Sequence, residues 1–135
     1  MDDQAAVRRV LTEYYSAFST LDAGAVLPYF HEPSMMVVPG VGVIATPTHE
    51  VLTAVFKVSM EALQARGFAR SELTNLNLKR LSATTMLAGG IAVRHRADGQ
   101  ELDRAGVTYL LHKTDSAWKI AVLVVHDADG ALRFE

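Results

Sequence analysis

The chain has 135 residues, of which 50% are hydrophobic, and its 13 basic and 15 acidic residues give a net charge of −2. This length suits one domain with its own core. No apolar run reaches the roughly 20 residues of a membrane span, and no basic cluster suggests a nucleic-acid partner. No cysteine is present for a disulfide or a thiolate nucleophile, and the N-terminus has no basic stretch followed by an apolar one, so we expect a cytoplasmic protein.

The N-terminal part of the sequence predicts two helices. Residues 3–20 form the first helix, because Leu11, Tyr14 and Phe18 recur at helical spacing on one face. Asp22 is a suitable N-cap for a short second helix.

A small hairpin and a third helix follow. Residues 34–38 and 43–46 are strand candidates, joined by a segment rich in proline and glycine. The third helix begins after a cap at Thr48 and stops at Gly67.

The second half of the chain changes to the period of two that is typical of strands. Gly89-Gly90 inside one strand predicts a bend that curls the sheet, and the Asp98-Gly99 pair predicts a tight hairpin. The element order is therefore ααββαββββ. The predicted strands are residues 68–81, 85–97, 103–113 and 118–127.

The last strand is apolar at every position from Ile120 to Val125. A strand with one face in water would alternate polar and apolar residues, so both faces are expected to be covered. Helices of the same chain cover one face, and we expect a second copy of the chain to cover the outer face as a homodimer.

Helices followed by an antiparallel meander predict an α+β domain in which a curved sheet wraps around the helices. The concave mouth of such a sheet is the expected ligand site.

Three short segments, together with the element order, carry a family resemblance over essentially the whole chain. They are Glu13-Tyr14-Tyr15, Leu21-Asp22 and Trp118-Lys119-Ile120. The chain resembles the NTF2-like superfamily, which includes SnoaL-like polyketide cyclases and ketosteroid isomerases. The resemblance implies a single NTF2-like domain over residues 1–135, with a cone-shaped fold and a strongly curved, mostly antiparallel sheet around three helices.

The ketosteroid isomerase mechanism uses a carboxylate base, a tyrosine donor and a protonated aspartate. By resemblance, Tyr14 matches the tyrosine donor and Tyr109 takes the place of the protonated aspartate. The position of the base is occupied by Val38, which cannot accept a proton. We therefore do not expect that mechanism here.

The same resemblance sets which strand residues face the pocket, and a shift of one residue would reverse the assignment on a strand. Together with the inner faces of the predicted helices, it gives two sets of candidates. The catalytic candidates are Tyr14, His95, Tyr109 and Asp127. The ligand-binding candidates are Phe18, Val38, Phe56, Ile91, Val93 and Leu123.

Each catalytic candidate has a simpler structural alternative. Tyr14 and Tyr109 are also explained as core aromatics, His95 as a half-exposed histidine at a strand end, and Asp127 as the start of a turn. No metal or cofactor is expected, since the sequence has no metal-ligand spacing, no phosphate-binding glycine loop and no nucleophile elbow.

Two functions remain open from the sequence. One is acid–base chemistry, such as isomerisation, dehydration or cyclisation, on a small apolar or aromatic molecule held in the pocket. The other is a noncatalytic dimeric domain that binds such a ligand or serves in protein interaction.

Overall fold

The computed structural model describes residues 2–132 and has the predicted order of elements. The bounds are α1 (Asp3–Phe18), a 3₁₀ helix (Ala23–Tyr29), β1 (Phe30–Val38), β2 (Gly42–Thr46), α2 (His49–Ala65), β3 (Phe68–Ser82), β4 (Thr85–Arg96), β5 (Glu101–Thr114), β6 (Ala117–His126) and a final 3₁₀ turn (Ala128–Gly130). The second predicted helix is thus a 3₁₀ helix, and Pro28 inside it lacks the amide donor that a regular α-helix requires. No helix within residues 2–132 has both the length and the apolar character that a membrane crossing requires.

Local capping explains where the α-helices begin and end. The Asp2 carboxylate accepts a hydrogen bond from the Gln4 amide at 3.0 Å, and the Thr48 hydroxyl accepts one from the Val51 amide at 3.2 Å. Gly67, with φ of 86°, turns the chain out of α2 into β3. The predicted cap at Thr48 is confirmed.

The strands form one six-stranded sheet in the order β2-β1-β6-β5-β4-β3. β3 to β6 make an antiparallel meander, and β1 and β2 make an antiparallel hairpin. The hairpin joins the meander through a parallel pairing of β1 with β6. The sheet is therefore mostly antiparallel, as predicted.

The predicted bend at Gly89-Gly90 lies opposite a bulge of the neighbouring strand. The β3–β4 register shifts between Thr74 and Asn77, and Asn75 in the bulge has φ of 54°. A Cβ on Gly90 would lie 2.7 Å from the Thr74 carbonyl oxygen, so this close approach requires glycine.

The core lies between the two α-helices and the inner face of the sheet. Its β4 members are Met86, Ala88 and Ala92, which fixes the even-numbered residues of β4 as inward-facing. On β5 the inward residues are Val107, Tyr109 and Leu111.

The predicted direction of the β4 side chains is wrong by one residue. Because side chains alternate between faces, Ile91, Val93 and His95 lie on the face opposite the core residues Ala88 and Ala92. The resemblance shifts β4 by one residue, and this shift assigns every side chain of the strand to the opposite face of the sheet. On β5, the expected inward direction of Tyr109 is correct.

Candidate functional site

A cavity of about 540 Å³ lies between α1, α2 and the concave face of the sheet. This volume falls within the range of about 300–1,000 Å³ that is typical of small-molecule sites. Most of its wall is apolar. The apolar lining residues are Phe18, Met36, Val38, Val41, Ile44, Val55, Phe56, Val58, Val107, Leu123 and Val125.

The mouth of the cavity is also apolar. Val41, in the β1–β2 turn, and Val58, on α2, are 67% and 71% exposed and both line the cavity. An apolar ligand that enters here moves its surface from water to apolar side chains, which is favourable.

Polar groups in the wall are few. They are Tyr14, Tyr15, Ser59, Ser71, Arg94 and Tyr109. Among the candidates from the sequence, the structure brings Tyr14, Phe18, Val38, Phe56, Tyr109 and Leu123 together around the cavity. Their roles in binding or catalysis stay predictions.

His95 does not line the cavity. Its Nε2 lies 3.2 Å from Glu72 Oε1 on β3, and its side chain is 14% exposed. Nδ1 is buried and has no hydrogen-bond partner among the residues that the structure describes. His95 therefore sits on the opposite face of β4 from the cavity, together with Ile91 and Val93.

Asp127 is also away from the cavity, at the start of the 3₁₀ turn Ala128–Gly130. Its backbone carbonyl accepts hydrogen bonds from the Gly130 amide at 3.0 Å and from His126 Nδ1 at 2.8 Å. This geometry is that of the turn-forming alternative.

Three tyrosines meet in the cavity wall. The hydroxyl oxygens of Tyr15 and Tyr109 are 2.6 Å apart. The ring of Tyr14 packs edge-on against both, with centroid distances of 5.4 Å to Tyr15 and 6.4 Å to Tyr109. The Tyr14 hydroxyl makes no hydrogen bond to any group of residues 2–132.

All three hydroxyls are held in the protonated form. Burial raises the pKa of Tyr15 to about 12, although a hydrogen bond with Tyr109 and the charge of Arg94 act in the opposite direction. Burial also raises the pKa of Tyr14 and that of Tyr109 well above the usual value, and the neighbouring tyrosines add to the effect. At neutral pH the cluster offers O–H donors and no base.

Arg94 is the charged group in the wall that the sequence prediction missed. It belongs to the even-numbered, inward set of β4, and its guanidinium lies 3.6 Å from Asp103 on β5. Asp103 also pairs with Arg66, at the C-terminus of α2, at the shorter distance of 2.9 Å. The packing of Ala88 and Ala92 in the core places Arg94 on the inward face of β4, and the sequence alone does not show this packing.

Tyr15 was the second omission. It lies at the edge of the apolar face of α1, yet it is 8% exposed and bonded to Tyr109. The adjacent tyrosines at 14 and 15 were the signal, because a buried hydroxyl needs a partner.

No three His, Asp or Glu side chains converge on a metal position within residues 2–132. Arginine, tyrosine and serine are the polar side chains that the described part of the wall offers to a ligand.

The helices, the curved sheet and the apolar cavity together define a cone-shaped α+β domain of the NTF2-like class. A family model described as NTF2-like protein (DUF6841) matches residues 2–128, and the chain belongs to this family. The resemblance drawn from the sequence is thereby confirmed. No curated protein sequence matches the chain.

Solved structures support the same fold. An NTF2-like protein with a cystatin-like fold from Novosphingobium aromaticivorans is 18% identical, with a TM-score of 0.79 over 98% of this chain and 90% of that chain. Aln2 from a Streptomyces species is 15% identical, with a TM-score of 0.77 over 93% of this chain and 91% of that one. A putative aromatic ring hydroxylase from Novosphingobium aromaticivorans is 18% identical, with a TM-score of 0.72 over 96% of this chain and 92% of that one. At these identities the likeness extends to the fold alone.

Proposed function

We propose that the protein binds a small, largely apolar or aromatic molecule in the cone-shaped cavity. The observation that carries the proposal is a cavity of about 540 Å³ with an apolar wall, in which the Tyr14 hydroxyl has no partner among the described residues. A cavity of roughly 150 Å³ accommodates benzene, so this one has room for more than one ring.

The tyrosines give the ligand an orientation. A hydroxyl in a buried wall is costly unless it forms a hydrogen bond, and a ligand acceptor placed near Tyr14 would supply one. In the Tyr15–Tyr109 pair, one hydroxyl donates to the other, which leaves one further proton for the ligand. The favoured ligand has an apolar body and at least one oxygen acceptor.

Binding is favoured over acid–base catalysis by the character of the wall. The described lining residues include neither a carboxylate nor a histidine, and the tyrosines hold their protons. Catalysis by donation to a carbonyl oxygen is the second candidate, because Tyr14 and the Tyr15–Tyr109 pair are donors on one wall. Loss of turnover in Tyr14→Phe with unchanged ligand affinity would favour this second candidate.

The binding test uses neutral amides on different apolar frames: 2-naphthamide, adamantane-1-carboxamide and decanamide, measured by isothermal titration calorimetry. The variant Val55→Trp fills the cavity from α2, and Val51→Trp is the control, since Val51 is on the same helix outside the wall. We expect at least one probe to bind the native protein and Val51→Trp equally, and Val55→Trp more than about tenfold more weakly, a loss of about 1.4 kcal/mol. Failure of all three probes and of the matching carboxylic acids at millimolar concentration, or equal binding to a folded Val55→Trp, would overturn the proposal.

We also propose that a second copy of the chain covers the outer face of the sheet. Leu110, Val122 and Val124 alternate with the inward residues of β5 and β6 and form an apolar strip on that face. Sedimentation velocity should show a dimer for the native protein and a monomer for Leu110→Lys. Val58→Lys, on α2 at the cavity mouth, is the control and should remain dimeric. A native monomer at tens of micromolar would contradict the proposal.

Cytoplasmic residence likewise stays a prediction.

A further inference from the structure

We infer that the ligand is an apolar carboxylic acid, whose carboxylate pairs with Arg94 while its apolar body fills the cavity. This inference rests on the proposed binding function and narrows it to one class of molecule.

The guanidinium of Arg94 has few partners within the protein. Arg94 is one of the cavity-lining residues, its side chain is only 26% exposed, and none of its N–H groups makes a hydrogen bond to residues 2–132. Its one protein partner within that range is an ion pair with Asp103 at 3.6 Å, longer than a hydrogen bond. A guanidinium has five donors, so Arg94, a residue of the cavity wall, retains N–H groups that no acceptor within residues 2–132 uses.

The local charge balance around Arg94 is positive. Asp103 lies closer to Arg66, at 2.9 Å, than to Arg94. Two guanidinium groups therefore share one carboxylate, and the group carries a net charge of about +1. Among the described lining residues, Arg94 is the one with a charged side chain. A single negative charge on the ligand would neutralise this site.

The shape of the arginine side chain favours a carboxylate. A planar guanidinium recognises a carboxylate through two parallel N–H···O bonds, and this match is stronger than that with a neutral amide. The charge of Arg94 also lowers the pKa values of Tyr14, Tyr15 and Tyr109 against the effect of burial, so its field reaches all three hydroxyls. Arg94 and the three tyrosines line one cavity, so a carboxylate bound by Arg94 there has tyrosine donors in the same wall.

The apolar wall explains why the rest of the ligand is not charged. A second charge would be buried without a partner among valine, leucine and phenylalanine side chains, which costs several kcal/mol. The site thus favours a monocarboxylate on an apolar frame over a dicarboxylate or a sugar acid.

The test compares each carboxylate with its own amide: 2-naphthoate with 2-naphthamide, and adamantane-1-carboxylate with adamantane-1-carboxamide. Affinities are measured by calorimetry at pH 7 for the native protein, Arg94→Met and Arg70→Met. Arg70, on β3, is 56% exposed in its side chain and outside the cavity wall, so it controls for the loss of one positive charge.

We expect the native protein and Arg70→Met to bind a carboxylate at least tenfold more tightly than its amide, and Arg94→Met to lose that preference while still binding the amide. Should Arg94→Met fail to fold, Arg94→Gln replaces it. Equal native affinity for acid and amide, or a preference that survives in Arg94→Met or Arg94→Gln, would overturn the inference and leave the proposed function standing. Absence of binding by every acid and amide would overturn both.

Discussion

The hydroxyl oxygens of Tyr15 and Tyr109 lie 2.6 Å apart in the wall of the cavity and connect α1 to β5. Both side chains are buried, and removal of either hydroxyl leaves the other without its partner. An orphaned buried hydroxyl costs about 1–3 kcal/mol. The pair is therefore a structural link as well as a part of the candidate site.

We predict that Tyr15→Phe and Tyr109→Phe each lower the free energy of unfolding by about 1–3 kcal/mol, measured by urea denaturation. Tyr14→Phe is the matched control and should not lower it, because its hydroxyl has no partner among the described residues to lose. The double variant Tyr15→Phe/Tyr109→Phe should cost less than the sum of the single variants. A loss in Tyr14→Phe equal to that of the other two would show that its hydroxyl is bonded.

Stability should fall steeply in alkaline solution. Folding raises the pKa of Tyr15 from 10.0 to about 12, and the pKa values of Tyr14 and Tyr109 rise as well. Groups whose pKa is raised in the folded state contribute stability that is complete below pH 10 and is lost as pH rises through the folded pKa. Each such tyrosine contributes a slope of about −1.4 kcal/mol per pH unit above pH 10.

Urea denaturation at several pH values between 9 and 11.5 measures this slope, and tyrosinate absorbance reports ionisation. In Tyr14→Phe the slope should be smaller in magnitude by about 1.4 kcal/mol per pH unit. An unchanged slope would mean that Tyr14 ionises as easily in the folded protein as in the unfolded one.

The fold was predictable because its signals are local and repeated. Leu11, Tyr14 and Phe18 mark the buried face of α1, Thr48 and Gly67 bracket α2, and each tight turn forces the next strand to run antiparallel. The parallel pairing of β1 with β6 gave no such signal, because it joins strands far apart in the sequence.

The site was predictable only in part, because the sequence does not show which face of β4 is turned to the cavity. Phe56, taken from helical periodicity, and Tyr109, taken from the resemblance, both line the cavity. On β4, Ala88, Ala92, Ile91 and Val93 are all apolar, so hydrophobicity does not distinguish its two faces. The resemblance places His95 inward, whereas packing places Arg94 there.

Asp103 should lower the affinity for a carboxylate if Arg94 holds the ligand. Asp103→Asn removes the negative charge that lies 3.6 Å from Arg94. We expect 2-naphthoate to bind up to roughly tenfold more tightly, a gain of about 1.4 kcal/mol, because a second negative charge no longer competes with the ligand for Arg94. The affinity for 2-naphthamide should change little in the same calorimetric titration. Weaker binding of 2-naphthoate in a folded Asp103→Asn would contradict the shared-carboxylate arrangement.

The first turn of α1 is attached to the sheet through Asp3. Its carboxylate accepts hydrogen bonds from Arg80 on β3 at 2.8 Å, from Lys113 on β5 at 3.3 Å and from Trp118 on β6 at 3.2 Å. These bonds hold the pKa of Asp3 below 3.8. The bond from Arg80 has the largest effect, and the bond from Trp118 comes next. Since the folded pKa is depressed, the stabilisation is present above about pH 3.8 and is lost as pH falls through the folded pKa.

We therefore predict that Asp3→Asn lowers the midpoint of thermal unfolding at pH 7, and that the difference from the native protein narrows as the pH falls from 4 toward 2. Circular dichroism melts at a series of pH values provide the measurement. Glu13→Gln, which removes one negative charge from an exposed position of the same helix, is the control and should leave the midpoint nearly unchanged at both ends of the range. A difference between native protein and Asp3→Asn that stays constant down to pH 2 would show that the amide's altered packing, rather than the lost carboxylate charge, is responsible.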